Sequence, residues 1–249
     1  MFPIRDHNPS TQTPYVTWAL IVINVAIQVW QAALVRGDAQ LYALYDAYAM
    51  IPAEISAGQD YWTLVTSTFL HGGWMHLIGN MLFLHVFGDN LEEALGRLGF
   101  LAFYLLGGIG ASLCQWAAEP LSGIPTVGAS GAIAAVMGGY LLLFPKARVD
   151  VLVFIVIFIR IIPIPAWIVL ALWFGLQVFS GIGADPLTGG VAYWAHVGGF
   201  AIGFVMMVPA WLRRGGAGWW SRTDGRPPHS DAAYGTLTPT RVPVVKRRR

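Results

Sequence analysis

The sequence predicts an all-α, polytopic membrane protein, a bundle of six transmembrane helices around a water-accessible cavity. Three observations carry that expectation. The 249 residues are 56% hydrophobic and only 11% charged, against about 25% charged residues in soluble domains, and the mean hydropathy is +0.58. Apolar runs of roughly the 20 residues that a helix needs to cross the hydrocarbon core recur along the chain. Basic residues collect in alternate loops between those runs. A soluble globular domain is excluded.

The runs cover approximately 15–35, 73–93, 98–117, 130–145, 164–182 and 193–212. They divide the chain into an N-terminal segment 1–14, a helical domain 15–212 and a tail 213–249. The first run follows the polar stretch "MFPIRDHNPSTQTP", which has no small-residue cleavage site, so it is expected to remain as a helix. Residues 148–163, "RVDVLVFIVIFIRIIP", are apolar but short, broken by Arg160 and ended by prolines. They are assigned to a re-entrant or interfacial segment; as a full span they would invert every later orientation.

With six spans, Arg5, Arg97, Lys146, Arg148 and the tail lie on one side of the membrane. Asp38, Asp46, Glu54, Asp60, Glu119 and Asp185 lie on the other, with Arg36 the only basic residue near them. Lys and Arg gather on the cytoplasmic side, which places both termini there. The external loop 36–63 holds Tyr42, Tyr45 and Trp62, residues suited to the headgroup layer. The tail, rich in Gly and Pro and ending in "KRRR", reads as disordered and basic, either touching anionic lipid or simply solvated. Cys114 is the single cysteine, so no intrachain disulfide can form.

Spans two, four and six all run inward from the external face, and each begins with polar groups. His76 and Asn80 open the second, Ser130 the fourth and His196 the sixth. All are therefore expected at one depth. Ser130, Ala134 and Gly138 share one helical face, and Ala195, Gly199 and Gly203 form a matching stripe beside His196. Small residues four apart let membrane helices approach backbone to backbone, which brings the Ser130 hydroxyl toward the His196 imidazole. His76 and Asn80, at i and i+4, face one direction. Span four rises only about 24 Å at 1.5 Å per residue, against a core of about 30 Å. Its start should sit below the outer surface, and irregular backbone at that depth must be buried or line water.

Acyl transfer fits this set. A serine hydroxyl needs a neighbouring base to become a nucleophile, and histidine is the usual one. Gly128 and Gly131 leave room for a carbonyl and for a tight turn into the helix, whose free N–H groups suit developing negative charge. His76 and Asn80 could add donors to the same oxyanion. No carboxylate lies within the membrane near either histidine, so a Ser–His dyad is expected rather than a triad.

Blander roles compete. "GASG" alone is ordinary helix packing, and Asn80 alone is ordinary interhelical hydrogen bonding. His71 is read as ordering the loop entrance, and His85 as making a structural hydrogen bond on another face. Asp89, Asn90, Glu92 and Glu93 read as capping or pairing groups, with Arg97 nearby. A metal site is disfavoured, because there is no HExxH and no carboxylate partner among the histidines.

The stretches "IRDHNPSTQTPYVTWALIVINV", "FLHGGWMHLIGNMLFLHVFGDNLEEALG", "GASG" and "AHVGGFAIG" together resemble the rhomboid family of intramembrane serine proteases, in its bacterial form. The ordered pattern HxxxN, GxSG, AHxxGxxxG spans nearly all of the chain except the tail. The resemblance implies Ser130 as nucleophile, His196 as general base, and His76 and Asn80 with the Ser130 N–H as oxyanion-hole donors. Gly128 and Gly131 correspond to the turn presenting the serine, and Glu92 to a structural carboxylate at the inner end of the second helix. It further implies transmembrane protein substrates entering beside the fifth helix, beneath the loop 183–192, in a bacterial inner membrane. No cofactor, metal or nucleic acid is implied.

Two positions depart from the pattern. Many relatives have Trp-Arg where this chain has Trp62-Thr63, and some carry an aromatic that stacks on the histidine where this chain has Ala134. The latter leaves the orientation of His196 to other packing. The rival function is a non-proteolytic binder or escort of membrane proteins, disfavoured because Ser130 and His196 are both present. A transporter would need an internal repeat or polar groups through the full bilayer.

Overall fold

The computed structural model describes residues 2–155, 158–185, 189–230 and 232. The elements run β1 (Phe2–Asp6), α1 (Tyr15–Leu34), α2 (Asp38–Tyr48), α3 (Pro52–Ser56), α4 (Thr63–Thr66), α5 (Trp74–Leu95), α6 (Arg97–Ala118) and α7 (Ser130–Leu143). There follow β2 (Arg148–Ile155), β3 (Phe158–Pro165), α8 (Ala166–Gly183), α9 (Tyr193–Arg213) and α10 (Ala217–Thr223). By length and composition four helices among the described residues can cross a membrane, α1, α6, α8 and α9. The chain is a mostly helical, multi-pass membrane protein.

The organising element is α7. Twelve of its 14 residues are buried, and a helix that is apolar all round must be enclosed by others. It packs against α5, α6, α8 and α9. Its contact with α9 is the closest. A Cβ on Gly138 would fall on the Phe200 carbonyl, one on Gly199 on the Gly131 carbonyl, and one on Gly203 on the backbone of Ala135. On α7 this contact is made by Gly131, Ala135 and Gly138, against Gly199, Phe200 and Gly203 of α9. Across α6, a Cβ on Gly131 would come within 2.6 Å of the Ala111 methyl.

Helix α1 turns a polar stripe inward. Thr17, Asn24, Gln28 and Gln31 are buried along with Leu20, as membrane helices hide polar groups from lipid. Its N-terminus has no local side-chain cap. Glu92 of α5 fills that role, accepting from Val16 N–H at 2.9 Å, Thr17 N–H at 2.7 Å and the Thr17 hydroxyl at 2.8 Å. A carboxylate there also meets the positive end of the helix dipole. Glu92→Ala leaves two buried donors and one half-buried donor unpaired, so it should destabilise the protein by about 3 kcal/mol, read as a fall in the detergent-solubilised thermal midpoint.

The expectation of an all-α chain is corrected by a three-stranded antiparallel sheet in the order β1-β2-β3. The segment 148–163 supplies most of it. It forms a hairpin, Arg148 opposite Pro165 and Val151 opposite Ile162. The alternation is physical: Val149 and Val151 enter the core, while Asp150, on the other face, pairs with Arg5 and His7. Pro163 and Pro165 are tolerated because β3 is an edge strand.

Asp6 at the end of β1 accepts from Asn90 of α5 at 2.7 Å and from the Tyr140 hydroxyl of α7 at 2.7 Å. The N-terminal segment is thus fastened under the bundle.

The tail is corrected in part as well. Residues 217–223 form α10, whose Trp219 and Trp220 indoles donate to the Leu143 and Leu142 carbonyls. These are orphan acceptors at the end of α7, of the kind every helix C-terminus leaves. Residues 231 and 233–249, including "KRRR", lie outside the described residues.

Candidate active site

Ser130 is the first residue of α7, where helix N–H groups have no intrahelical partner. The segment leading to it is held from both sides. Thr126 and Met50 exchange backbone hydrogen bonds at 2.8 and 3.1 Å, and Gly128 N–H donates to the Ser67 carbonyl at 2.9 Å. Gly128 has φ +129, a conformation that L side chains avoid. Its missing Cβ matters as space too. That atom would sit 2.8 Å from His76 Nε2 and 3.5 Å from Ser130 Oγ.

His196 lies in the first turn of α9, 9% exposed. Its Nε2 is 2.7 Å from Ser130 Oγ, and its Nδ1 is 2.7 Å from Gln177 Oε1 on α8. Trp173, one turn before Gln177, lies beside the imidazole with ring centroids 5.8 Å apart and planes at 35°. The Ala134 position is buried, and no aromatic reaches His196 from α7. Side chains of α8 take up that place.

His76 receives the Gly72 N–H on Nδ1 at 3.3 Å. In a neutral ring this leaves the proton on Nε2, the nitrogen beside the Gly128 gap. His71 is fully buried behind it, the two rings edge to face at 5.1 Å.

A cavity of about 440 Å³ brings these groups together, with Ser130, His196, His76, Gly128, Gly131 and Ala195 on its wall. Asn80 is not on that wall. It is buried one turn further along α5, and its Nδ2 has no hydrogen-bond partner among the described residues. His85 departs from expectation, being exposed and making no hydrogen bond among the described residues. No cluster able to hold a metal occurs among the described residues.

Two participants were not foreseen, Gln177 and Trp173. The available signal was an amide in the otherwise apolar run "AWIVLALWFGLQVFSGIG", four residues after a tryptophan. A search limited to carboxylate partners for the histidine passes over it.

Fold and site thus define a multi-pass membrane protein with a serine hydrogen-bonded to a histidine on the wall of a cavity. A family model described as the rhomboid domain matches residues 58–213, and the chain belongs to the rhomboid family. Rhomboid-like protein 11, chloroplastic, of Arabidopsis thaliana is 35% identical over 51% of this chain and 41% of its own length. Rhomboid protein 1, mitochondrial, of Saccharomyces cerevisiae is 30% identical over 78% of this chain and 52% of its own. The putative rhomboid protease YdcA of Bacillus subtilis is 39% identical over 34% of this chain and 42% of its own. The chain spans about half or less of the length of these relatives. The name of YdcA, and that of the rhomboid protease AarA of Providencia stuartii, 30% identical over 39% of this chain and 34% of its own length, support a protease at the level of the family.

Proposed function

We propose that this chain is an intramembrane serine endopeptidase that hydrolyses peptide bonds in or near transmembrane segments of membrane proteins. The observation that carries the reading is the 2.7 Å separation of Ser130 Oγ and His196 Nε2 on the cavity wall. His196 Nε2 takes the hydroxyl proton as Oγ attacks the substrate carbonyl. The C=O π pair moves onto oxygen, and the tetrahedral oxyanion forms against the N–H of Ser130 and the Nε2–H of His76. Collapse breaks the C–N bond, and His196 returns the proton to the leaving amine. Water then repeats the sequence on the acyl-enzyme, with His196 again as base.

The six apolar helices α1, α5, α6, α7, α8 and α9 serve as the membrane spans in this reading. Both termini lie in the cytoplasm, and the cavity opens on the external face of a bacterial inner membrane. The basic residues Arg97, Lys146 and Arg213 at the inner helix ends favour that orientation. The 14 residues of α7 rise only about 21 Å, which sinks Ser130 below the outer boundary of a core about 30 Å thick.

The test is cleavage of a fluorescent transmembrane substrate by the purified protein in liposomes. Site-specific hydrolysis is expected. Binding of the substrate without cleavage would favour the escort reading. Among the oxyanion donors the effects should be unequal. His76→Ala removes the side-chain donor nearest the nucleophile and should lower kcat by about 10²-fold. Asn80→Ala, set back from the cavity wall, should cost about tenfold or less. Equal losses would place Asn80 at the oxyanion despite its setting.

A further inference from the structure

We propose that Gln177 is the positioning residue for His196, its side-chain carbonyl fixing the tautomer and ring plane that let the imidazole accept the Ser130 proton. This inference rests on the serine-protease reading above.

A neutral imidazole carries one proton on its two nitrogens. To accept from Ser130, Nε2 must hold the lone pair, so the proton must be on Nδ1. Left without a partner in a buried site, an Nδ1–H is costly, and the opposite tautomer becomes competitive. That tautomer puts the proton on Nε2, where it faces the hydroxyl and cannot receive another. The Oε1 of Gln177 is an acceptor only, 2.7 Å from Nδ1, and it favours the productive form.

The ring plane is constrained by the same helix. Trp173 and Gln177 are four residues apart on one face of α8, and the indole also packs on Phe200 of α9, with centroids 6.2 Å apart. Ala134 presents only a methyl from the α7 side. One face of α8 thus supplies both the support that α7 lacks and the hydrogen bond that a carboxylate supplies in triads.

Gln177 does this without a charge. A carboxylate would have to be desolvated beside a histidine that is neutral in the resting state. The amide carries no such penalty, yet its hydrogen bond becomes charge-assisted once His196 takes the proton. The bond strengthens along the reaction, which is the kind of interaction that raises kcat rather than substrate affinity.

The experiment compares wild type, Gln177→Leu and Gln177→Glu in liposomes, measuring kcat, KM, the rate of fluorophosphonate labelling and the thermal midpoint. Gln177→Leu removes the acceptor; it should lower kcat and the labelling rate together by about 10²-fold, with KM within about twofold. Gln177→Glu keeps an acceptor at the same reach and should recover both rates to within about tenfold of wild type. Full activity in Gln177→Leu would overturn the proposal, as would a loss that Gln177→Glu does not recover. If Gln177→Leu has no thermal transition, Gln177→Met replaces it under the same criteria. A wild-type protein that neither cleaves nor labels would instead defeat the protease reading, so the two failures are distinguishable.

Discussion

Ser130→Ala and His196→Ala should each abolish cleavage of a transmembrane substrate in liposomes, with losses of at least about 10³-fold in kcat/KM. The serine supplies the only oxygen that reaches His196 Nε2 among the described residues, 2.7 Å away. Without the base, the hydroxyl keeps its proton and remains a poor nucleophile. The two changes should differ in their effect on folding. Ser130→Ala deletes one hydroxyl on a cavity wall, and its thermal midpoint should stay near that of wild type. His196→Ala empties a buried site held by Gln177 and Trp173, so some loss of stability should accompany its loss of activity. The double variant should be no worse than the weaker single one, because residues that act as a unit are not additive. Comparable cleavage by wild type and both single variants would remove the dyad from the account.

Gly203→Leu should have the second large effect, on stability rather than chemistry. A Cβ at 203 would fall on the carbonyl and within 2.5 Å of the carbonyl carbon of Ala135, and backbone in the middle of an enclosed helix cannot swing aside as a side chain can. Overpacking ordinarily costs about 1–3 kcal/mol. Here the cost should exceed that range, because α9 must move off α7 and the Ser130–His196 distance must change with it. The variant should therefore lose its cooperative thermal transition and its activity together. Gly175→Ala on α8 is the matched control: nothing lies within 4 Å of the added carbon. It should leave stability unchanged, or raise it by up to about 1 kcal/mol through helix propensity. Similar behaviour of the two variants would show that α7 and α9 do not depend on close approach.

Much of this arrangement was legible in the sequence for identifiable reasons. Helix positions follow from apolar runs bounded by glycine, proline and charge, and the α7–α9 contact follows from two stripes of small residues. The nearness of Ser130 and His196 then follows from their places at the starts of those two helices. What was illegible depends on partners distant in the chain. The hairpin of β2 and β3 is paired with β1, some 145 residues earlier at Arg5 and Asp150, and an apolar run of that length looks alike as strand or helix until its partner is known. The polar stripe of α1 is invisible to mean hydropathy, because its amides are outnumbered by the apolar residues that face lipid. Gln177 is hidden in the same way. Only the packing of α8 on α9 shows that its carbonyl meets the second nitrogen of the histidine.

The central claim is that Ser130 is an activated nucleophile with His196 as its base. Fluorophosphonate treatment of the protein in liposomes, followed by peptide mass spectrometry, tests it most directly. A single adduct on the peptide containing Ser130 is predicted, present in wild type and absent after His196→Ala. Cleavage activity with the adduct on another serine, or labelling of Ser130 that persists undiminished without His196, would contradict it.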